Sequence, residues 1–543
     1  MSSPRHTPAR SRTSYVRVRA RAGRVAAVAA ATTAILLAAA AAAAAATTAE
    51  RPALGVDRST IGSSDAGWDA GQQSLRQLRR HAGARFEPPV RRIGRPGGVA
   101  TDFCGSSSAT GDVNGDGLED LVFGCKGADP VVGGPTYPNA GVVQVLLRNA
   151  TNTGFESPVE LAPVAPIRTS QNHAEFITGC GQSVDVADVN GDGREDVVVG
   201  CAGLANNASG NNESGHGLVL VYLRNQTNSG FDPVPERLHH SAPGWQKYCG
   251  ASVAVGDYDG NGRLDVATGC PGDSANAGSV LVFLRNGSNA TPMFGAPTVV
   301  TRTTPASNQE RCGWGLASGN INLDGRSDLL VACRDGSGGT GSGSAFALVR
   351  NVANSGFDQL GGLMQPTPAT NESCGFAVAL GDVDADGDDD AALGCSSNAQ
   401  GASGANGRVV VYRYLAGTGL FELDAAATIL DDPTPALGSN CGYSVAIGDA
   451  NGDGRGDVAT GCHMSAFQSQ WNFNGNGLLF TRNSTNTGFE AAAEHSMPVL
   501  TARVDWQVCG RSITLGDLNA DGRDDMVLGC TGDRDTPAGT SND

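Results

Sequence analysis

Short runs of alternating apolar and polar residues recur along most of the chain. Between Cys180 and Cys201 the sequence reads CGQSVDVADVNGDGREDVVVGC. Two alternations, SVDVA and DVVVG, flank a loop of Asp, Asn and Gly. Alternation at period two predicts strands, and Gly with Asn or Asp between two such runs predicts a hairpin. The unit occurs seven times. It opens at Cys104, Cys180, Cys249, Cys312, Cys374, Cys441 and Cys509, and closes at Cys125, Cys201, Cys270, Cys333, Cys395, Cys462 and Cys530. Members of a pair stand 21 positions apart, and the pairs use all 14 cysteines. The units recur at roughly 60–80 positions, too long for one rung of a ladder-type solenoid.

A third strand is expected after each hairpin but the last, as in Gly217–Leu223, Gly278–Leu284 and Gly407–Arg413. A turn and a short fourth strand are read next, in LRNATNTGF ending at Phe155, LRNQTNSGF ending at Phe231 and TRNSTNTGF ending at Phe489. Four strands per unit, repeated seven times, predict an all-β fold, a seven-bladed β-propeller of four-stranded blades. The last unit has only its first two strands. Leu78-Arg79-Arg80 followed by Phe86-Glu87 has the spacing of Leu147-Arg148-Asn149 followed by Phe155-Glu156. Residues 72–92 are therefore expected to pair with the last hairpin and close the ring with N-terminal strands.

The first 24 residues carry seven Arg and no acid, and Val25–Ala49 is uncharged and mostly Ala. Arg-rich then apolar is the layout of an export signal, cleaved or retained as a signal-anchor; an unstructured Ala tract is the alternative. The domain reading is 1–49 signal peptide or anchor, 50–71 linker, 72–533 propeller and 534–543 tail. The expected location is secreted and extracellular, or the cell surface through the N-terminal segment, which is also the only part expected to meet a membrane. Formal charge is −17 with no basic stripe, which argues against nucleic acid as a partner.

The hairpin loops align residue by residue. They are Asp112, Asn114, Asp116, Asp120; Asp188, Asn190, Asp192, Asp196; Asp257, Asp259, Asn261, Asp265; Asn320, Asn322, Asp324, Asp328; Asp382, Asp384, Asp386, Asp390; Asp449, Asn451, Asp453, Asp457; and Asp517, Asn519, Asp521, Asp525. Oxygens at every second position of a tight loop converge on one point and suit a hard cation, here up to seven structural Ca²⁺. A backbone carbonyl is expected from Leu118, Arg194, Arg263, Arg326, Asp388, Arg455 and Arg523, where the side chain is free to vary. An EF-hand would need an acid at the twelfth position, where Phe123, Val199, Thr268, Val331, Leu393, Thr460 and Leu528 stand instead. The fourth loop has two formal charges and is expected to bind most weakly; the fifth has four Asp and is expected to bind most tightly.

Each cysteine pair brackets an antiparallel hairpin, which favours a disulfide within it, and export permits oxidation. Free thiols and bridges between neighbouring units are the alternatives. Eight glycosylation sequons occur, at Asn149, Asn207, Asn212, Asn225, Asn286, Asn289, Asn371 and Asn483.

The pattern CGxSVxxGDxNxDGRxDxxxGC resembles the FG-GAP repeat of integrin α-chain propellers and the related VCBS repeats of secreted proteins. Cys-Gly and Gly-Cys replace the Phe-Gly and Gly-Ala-Pro of that repeat, as in Cys249-Gly250 and Gly269-Cys270-Pro271. The resemblance covers about 72–533. It implies a seven-bladed propeller with metal loops on one face and ligand loops on the other. The further domains and C-terminal span of an integrin α-chain, and the separate catalytic domain of phospholipases with such repeats, are not seen in this sequence, so neither whole protein is expected.

The face opposite the metal loops is expected to hold Trp245, Tyr248, Trp314, Trp471 and Trp506, with His239 and His240. Aromatics there could stack on sugars or anchor a protein, or could pack between blades. No Gly-x-Ser-x-Gly occurs and no catalytic residue is assigned. The expected function is an extracellular calcium-binding propeller acting as an adhesion or ligand-binding module for a protein or glycan. The alternatives are a polysaccharide-active enzyme such as a lyase, which would bring His239, Tyr248 and Arg311 together, and a structural wall or matrix protein.

Overall fold

The computed structural model describes residues 93–531, apart from 132–135, 164–166, 169–173, 176–177, 204–214, 242–245, 290, 304–308, 336–341, 364–372, 397–406, 424–428, 434–438, 465–474 and 496–507. The leader, the linker, residues 72–92 and the tail lie outside the described residues.

The chain folds as consecutive antiparallel sheets, each running strand to strand in sequence order. The first sheet contains Cys104–Gly111, Asp120–Cys125, Val142–Leu146 and Val159–Leu161. The second contains Cys180–Ala187, Asp196–Cys201, Leu218–Tyr222 and Glu236–Leu238. Four further blades follow the same plan, and in the fifth the outer strand is split between Leu420–Leu423 and Ile429–Asp431. The expected count of seven four-stranded blades is corrected. Six four-stranded blades are present among the described residues, and the seventh unit is a hairpin of Val508–Gly516 and Asp525–Thr531. Its expected outer strands fall in 72–92, outside the described residues.

In the six four-stranded blades the second strands are buried throughout, as in Asp120–Cys125, Asp196–Cys201 and Asp328–Cys333. A strand with both faces covered reads as a continuous apolar run, and this is why DVVVGC and DLLVAC show little alternation. The core lies between blades. Val198, Val221 and Leu238 of the second blade pack with Val253, Val266 and Leu281 of the third, and each such side chain contributes about 1.5–3 kcal/mol by leaving water. The last hairpin has partners on both sides. Ile513 packs with Ala459 and Leu479 of the sixth blade, and Val527 packs against the Leu121–Leu146 cluster of the first.

Two devices bring the blades close. The glycine before each third strand sits against the opening cysteine of the next unit: Gly141 bridges Cys180, and a Cβ on Gly141 would lie 2.1 Å from the Cys180 carbonyl oxygen. A serine three positions after the opening cysteine donates to the next unit's Cys-Gly carbonyl. Ser183 reaches Gly250, Ser252 reaches Gly313 and Ser444 reaches Gly510, at 3.0–3.1 Å.

The fourth strand was expected at Phe155 and its counterparts, and this is corrected. The stretch is a turn closed by a single bridge between Arg148 and Phe155, and the outer strand begins only at Val159. Arg224 with Phe231 and Arg482 with Phe489 repeat the arrangement.

Candidate metal centres

Each acidic loop joins the first and second strands of its unit, so the loops stand together at the end of the sheets away from the cysteines. In six loops the opening Asp accepts hydrogen bonds from the fifth and sixth residues. Asp112 accepts from Asp116 and Gly117 at 2.9 and 2.7 Å, and Asp188, Asp257, Asp382, Asp449 and Asp517 do the same. The fourth loop has Asn320 there, and its Oδ1 is buried without a hydrogen-bond partner. In all seven loops the fifth residue's side chain accepts the N–H of the seventh, so Leu118, Arg194, Arg263, Arg326, Asp388, Arg455 and Arg523 are held in one conformation.

The closing Asp is the buried anchor. Asp120, Asp196, Asp265, Asp328 and Asp457 are fully buried and Asp390 nearly so. Each accepts a main-chain N–H from within the third strand or from the second residue after it: Asp120 from Arg148, Asp196 from Arg224, Asp265 from Arg285, Asp328 from Arg350, Asp457 from Arg482 and Asp390 from Tyr414, at 2.6–3.0 Å. Burial first, and then the other carboxylates of the same loop, push Asp120, Asp265, Asp328 and Asp457 up to about 7, and Asp196 and Asp390 up to about 8. A divalent cation would cancel that excess of negative charge.

The donor set fits a hard cation. Carboxylate oxygens of Asp257, Asp259 and Asp265 lie within 4.8 Å of one another, as do those of Asp382, Asp384 and Asp390. Buried oxygens on Asn190, Asn320, Asp328, Asp384, Asp388 and Asp457 have no hydrogen-bond partner. Such oxygens are costly unless something else satisfies them. Three loop arginines, Arg194, Arg326 and Arg455, reach back to the carboxylates of Asp192, Asp324 and Asp453. Arg413 pairs with Asp384 at 2.7 Å.

The Arg-Asn-x-x-Asn turn supports the loops from the neighbouring blade, a role that sequence alone does not reveal. Arg148 donates to Asn152, and its guanidinium lies 5.1 Å over the Phe155 ring. The turn's second Asn then reaches the third residue of the preceding unit's loop. Asn228 donates to the Asn114 carbonyl, Asn289 to Asn190, Asn354 to Asp259 and Asn486 to Asp384. Asn152 of the first blade makes the same bond to Asn519 of the last hairpin. The signal was in the sequence, since the motif recurs, but its partner lies in another unit.

The FG-GAP-like repeat family matches residues 188–268, from the second loop through the second strand of the third blade. Integrin alpha pat-2 of Caenorhabditis elegans is 26% identical over 232 residues, covering 41% of this chain and 17% of that one. The chain is similar to FG-GAP-like repeat proteins over these residues. Integrin alpha-5 of Xenopus laevis is 29% identical over 240 residues, 42% of this chain and 20% of its own. A phosphatidylinositol-glycan-specific phospholipase D of Dictyostelium discoideum is 26% identical over 196 residues, 33% and 19%. The aligned part of this chain thus spans a fifth or less of these relatives' length.

At the opposite end of the propeller all seven cysteine pairs are disulfides within their own hairpins, Cys104–Cys125 through Cys509–Cys530. Free thiols and bridges between blades are thereby set aside. Trp245, Trp471 and Trp506 lie outside the described residues. His240 faces Asp273 and Lys247, and Arg311 pairs with Asp335 at 3.3 Å. Among the described residues no hydrogen bond or ion pair joins His239, Tyr248 and Arg311. Trp314 packs edge-on against Phe376 with ring centres 5.9 Å apart.

Proposed function

We propose that this chain is an extracellular, calcium-loaded, ligand-binding propeller. The loops are the observation that carries the reading. Their buried oxygens lack partners, and their closing aspartates sit in a field of like charge. The opening, third, fifth and closing side chains, with the seventh carbonyl, would hold Ca²⁺. The ion would fix each hairpin tip and satisfy its carboxylates; it would supply no chemistry to a substrate. Ligand binding then belongs to the disulfide face, left free by the metal loops. The seven disulfides support an oxidising location, and the integrin relatives support an adhesion or recognition role.

The test is calorimetric titration of chelated protein with calcium, followed by a glycan and protein-ligand array with and without chelator. Several sites per chain and calcium-dependent array binding are expected. A chain that stays folded and binds no calcium would overturn the reading.

A further inference from the structure

The innermost strands of all seven units line one cavity of about 230 Å³ at the disulfide end of the central channel. What faces it is set by a local irregularity. In five hairpins the register slips just after the opening cysteine, as between Cys104 and Ser108, Cys312 and Leu316, or Cys509 and Ile513. A bulge re-aims a side chain, and here the residue after each Cys-Gly lines the cavity. In the first three units it is Ser106, Gln182 or Ala251; in the next three it is Trp314, Phe376 or Tyr443; in the last it is Arg511.

The ring is therefore two-sided. Trp314, Phe376 and Tyr443 form a continuous aromatic wall, with Phe376 and Tyr443 centres 4.3 Å apart. Arg334 lies behind it, 4.6 Å from the Trp314 ring and 4.7 Å from Phe376, and Arg511 lies 5.3 Å over Tyr443. Lys126 stands across the mouth, bonded to Gln182. Arg511 bonds Tyr443 and Thr531, both uncharged. Among the described residues, Lys126 and Arg511 are the charged groups lining the cavity, and no carboxylate lines it. Burial, then the Arg511 charge, pulls Lys126 down to about 8. A cavity with a continuous aromatic wall, two cations with no carboxylate among the described lining residues and a rim of serine hydroxyls selects an occupant carrying a carboxylate on a ring with a C–H face.

We infer that the channel mouth binds a uronic acid residue of an acidic saccharide, its ring against Trp314, Phe376 and Tyr443 and its carboxylate between Arg511 and Lys126. This rests on the ligand-binding reading of the propeller and names its ligand class and site. An acidic peptide is disfavoured because a thin carboxylate side chain would leave most of the aromatic wall uncovered.

The experiment uses the calcium-loaded full chain and titrates galacturonic acid, galacturonic acid methyl ester and an acidic hexapeptide, reading tryptophan fluorescence and heat. Galacturonic acid is expected to bind about tenfold or more tightly than its uncharged ester, because a hydrogen bond to a charged group is lost with the ester. Arg511→Gln and, as a second variant, Lys126→Gln are each expected to weaken it by about tenfold while leaving the melting temperature and the calcium titration unchanged. Equal affinity for acid and ester, no binding of either sugar, or binding of the hexapeptide alone overturns the proposal. Array binding of neutral glycans that persists in both variants would sink this inference and leave the ligand-binding propeller standing.

Discussion

The Ser512 hydroxyl donates to the Gly105 carbonyl at 3.1 Å, across 407 positions of chain. It is the same contact that Ser183, Ser252 and Ser444 make to the unit that follows them. Here the unit that follows in space is the first in sequence. Ser512→Ala is expected to cost about 1 kcal/mol. It should appear first as faster amide exchange across residues 508–516, because no covalent connection holds that hairpin to the first blade. Exchange no faster than in Ser183→Ala would count against that role.

Calcium affinity is expected to differ between loops. The fifth has four Asp and buried oxygens on Asp384 and Asp388 without partners, and should bind first; the fourth, opening on Asn320, should bind last. Asp390→Asn is expected to remove the tightest step of a calorimetric titration, whereas Asp328→Asn should remove the weakest. The opposite assignment would reverse the ranking.

Leu323 occupies the fourth position of its loop with φ of 57° and is 50% exposed. Four other loops have Gly there. A left-handed backbone is strained for a residue with a side chain, and Gly removes the strain at some entropic cost, so Leu323→Gly should stabilise by about 0.5–1 kcal/mol. Thermal unfolding in chelator isolates this effect from metal binding.

Asp185 stands where five other units have Ala, and it accepts the N–H groups of Val186 and Val255 at 2.9 Å. Burial pushes its carboxyl up to about 6. Because the folded protein holds this proton more tightly than the unfolded chain, the group's stabilising contribution is complete below about pH 4. It is lost as pH rises through about 6. Asp185→Ala should therefore gain on the native protein by about 1–2 kcal/mol between pH 4 and pH 7, the lower part of that range reflecting the residue's partial exposure. Denaturant melts at the two pH values check the sign.

Much of this fold can be read from the chain because the signals are local. Hairpin, acidic loop and cysteine pair all fall within one unit, and seven copies in register remove the ambiguity of any one. Two features escaped for physical reasons. The outer strands are short and half in water, as in Thr298–Val300, so they carry little apolar pattern, and the turn before them carries the stronger signal. The channel mouth is hidden because the register slips after Cys-Gly in five of the hairpins. Simple alternation assumes an unbroken register, so Phe376, Tyr443 and Arg511 read as ordinary strand positions. Trp314 alone was marked, and only as a rim aromatic.

Each sulfur bridge joins cysteines 21 positions apart and never leaves its own hairpin. A unit can therefore be locked as soon as its second cysteine emerges, before the next unit exists. Correct pairing needs no knowledge of distant chain, and a propeller assembled from such pre-sealed wedges has only to dock them in order.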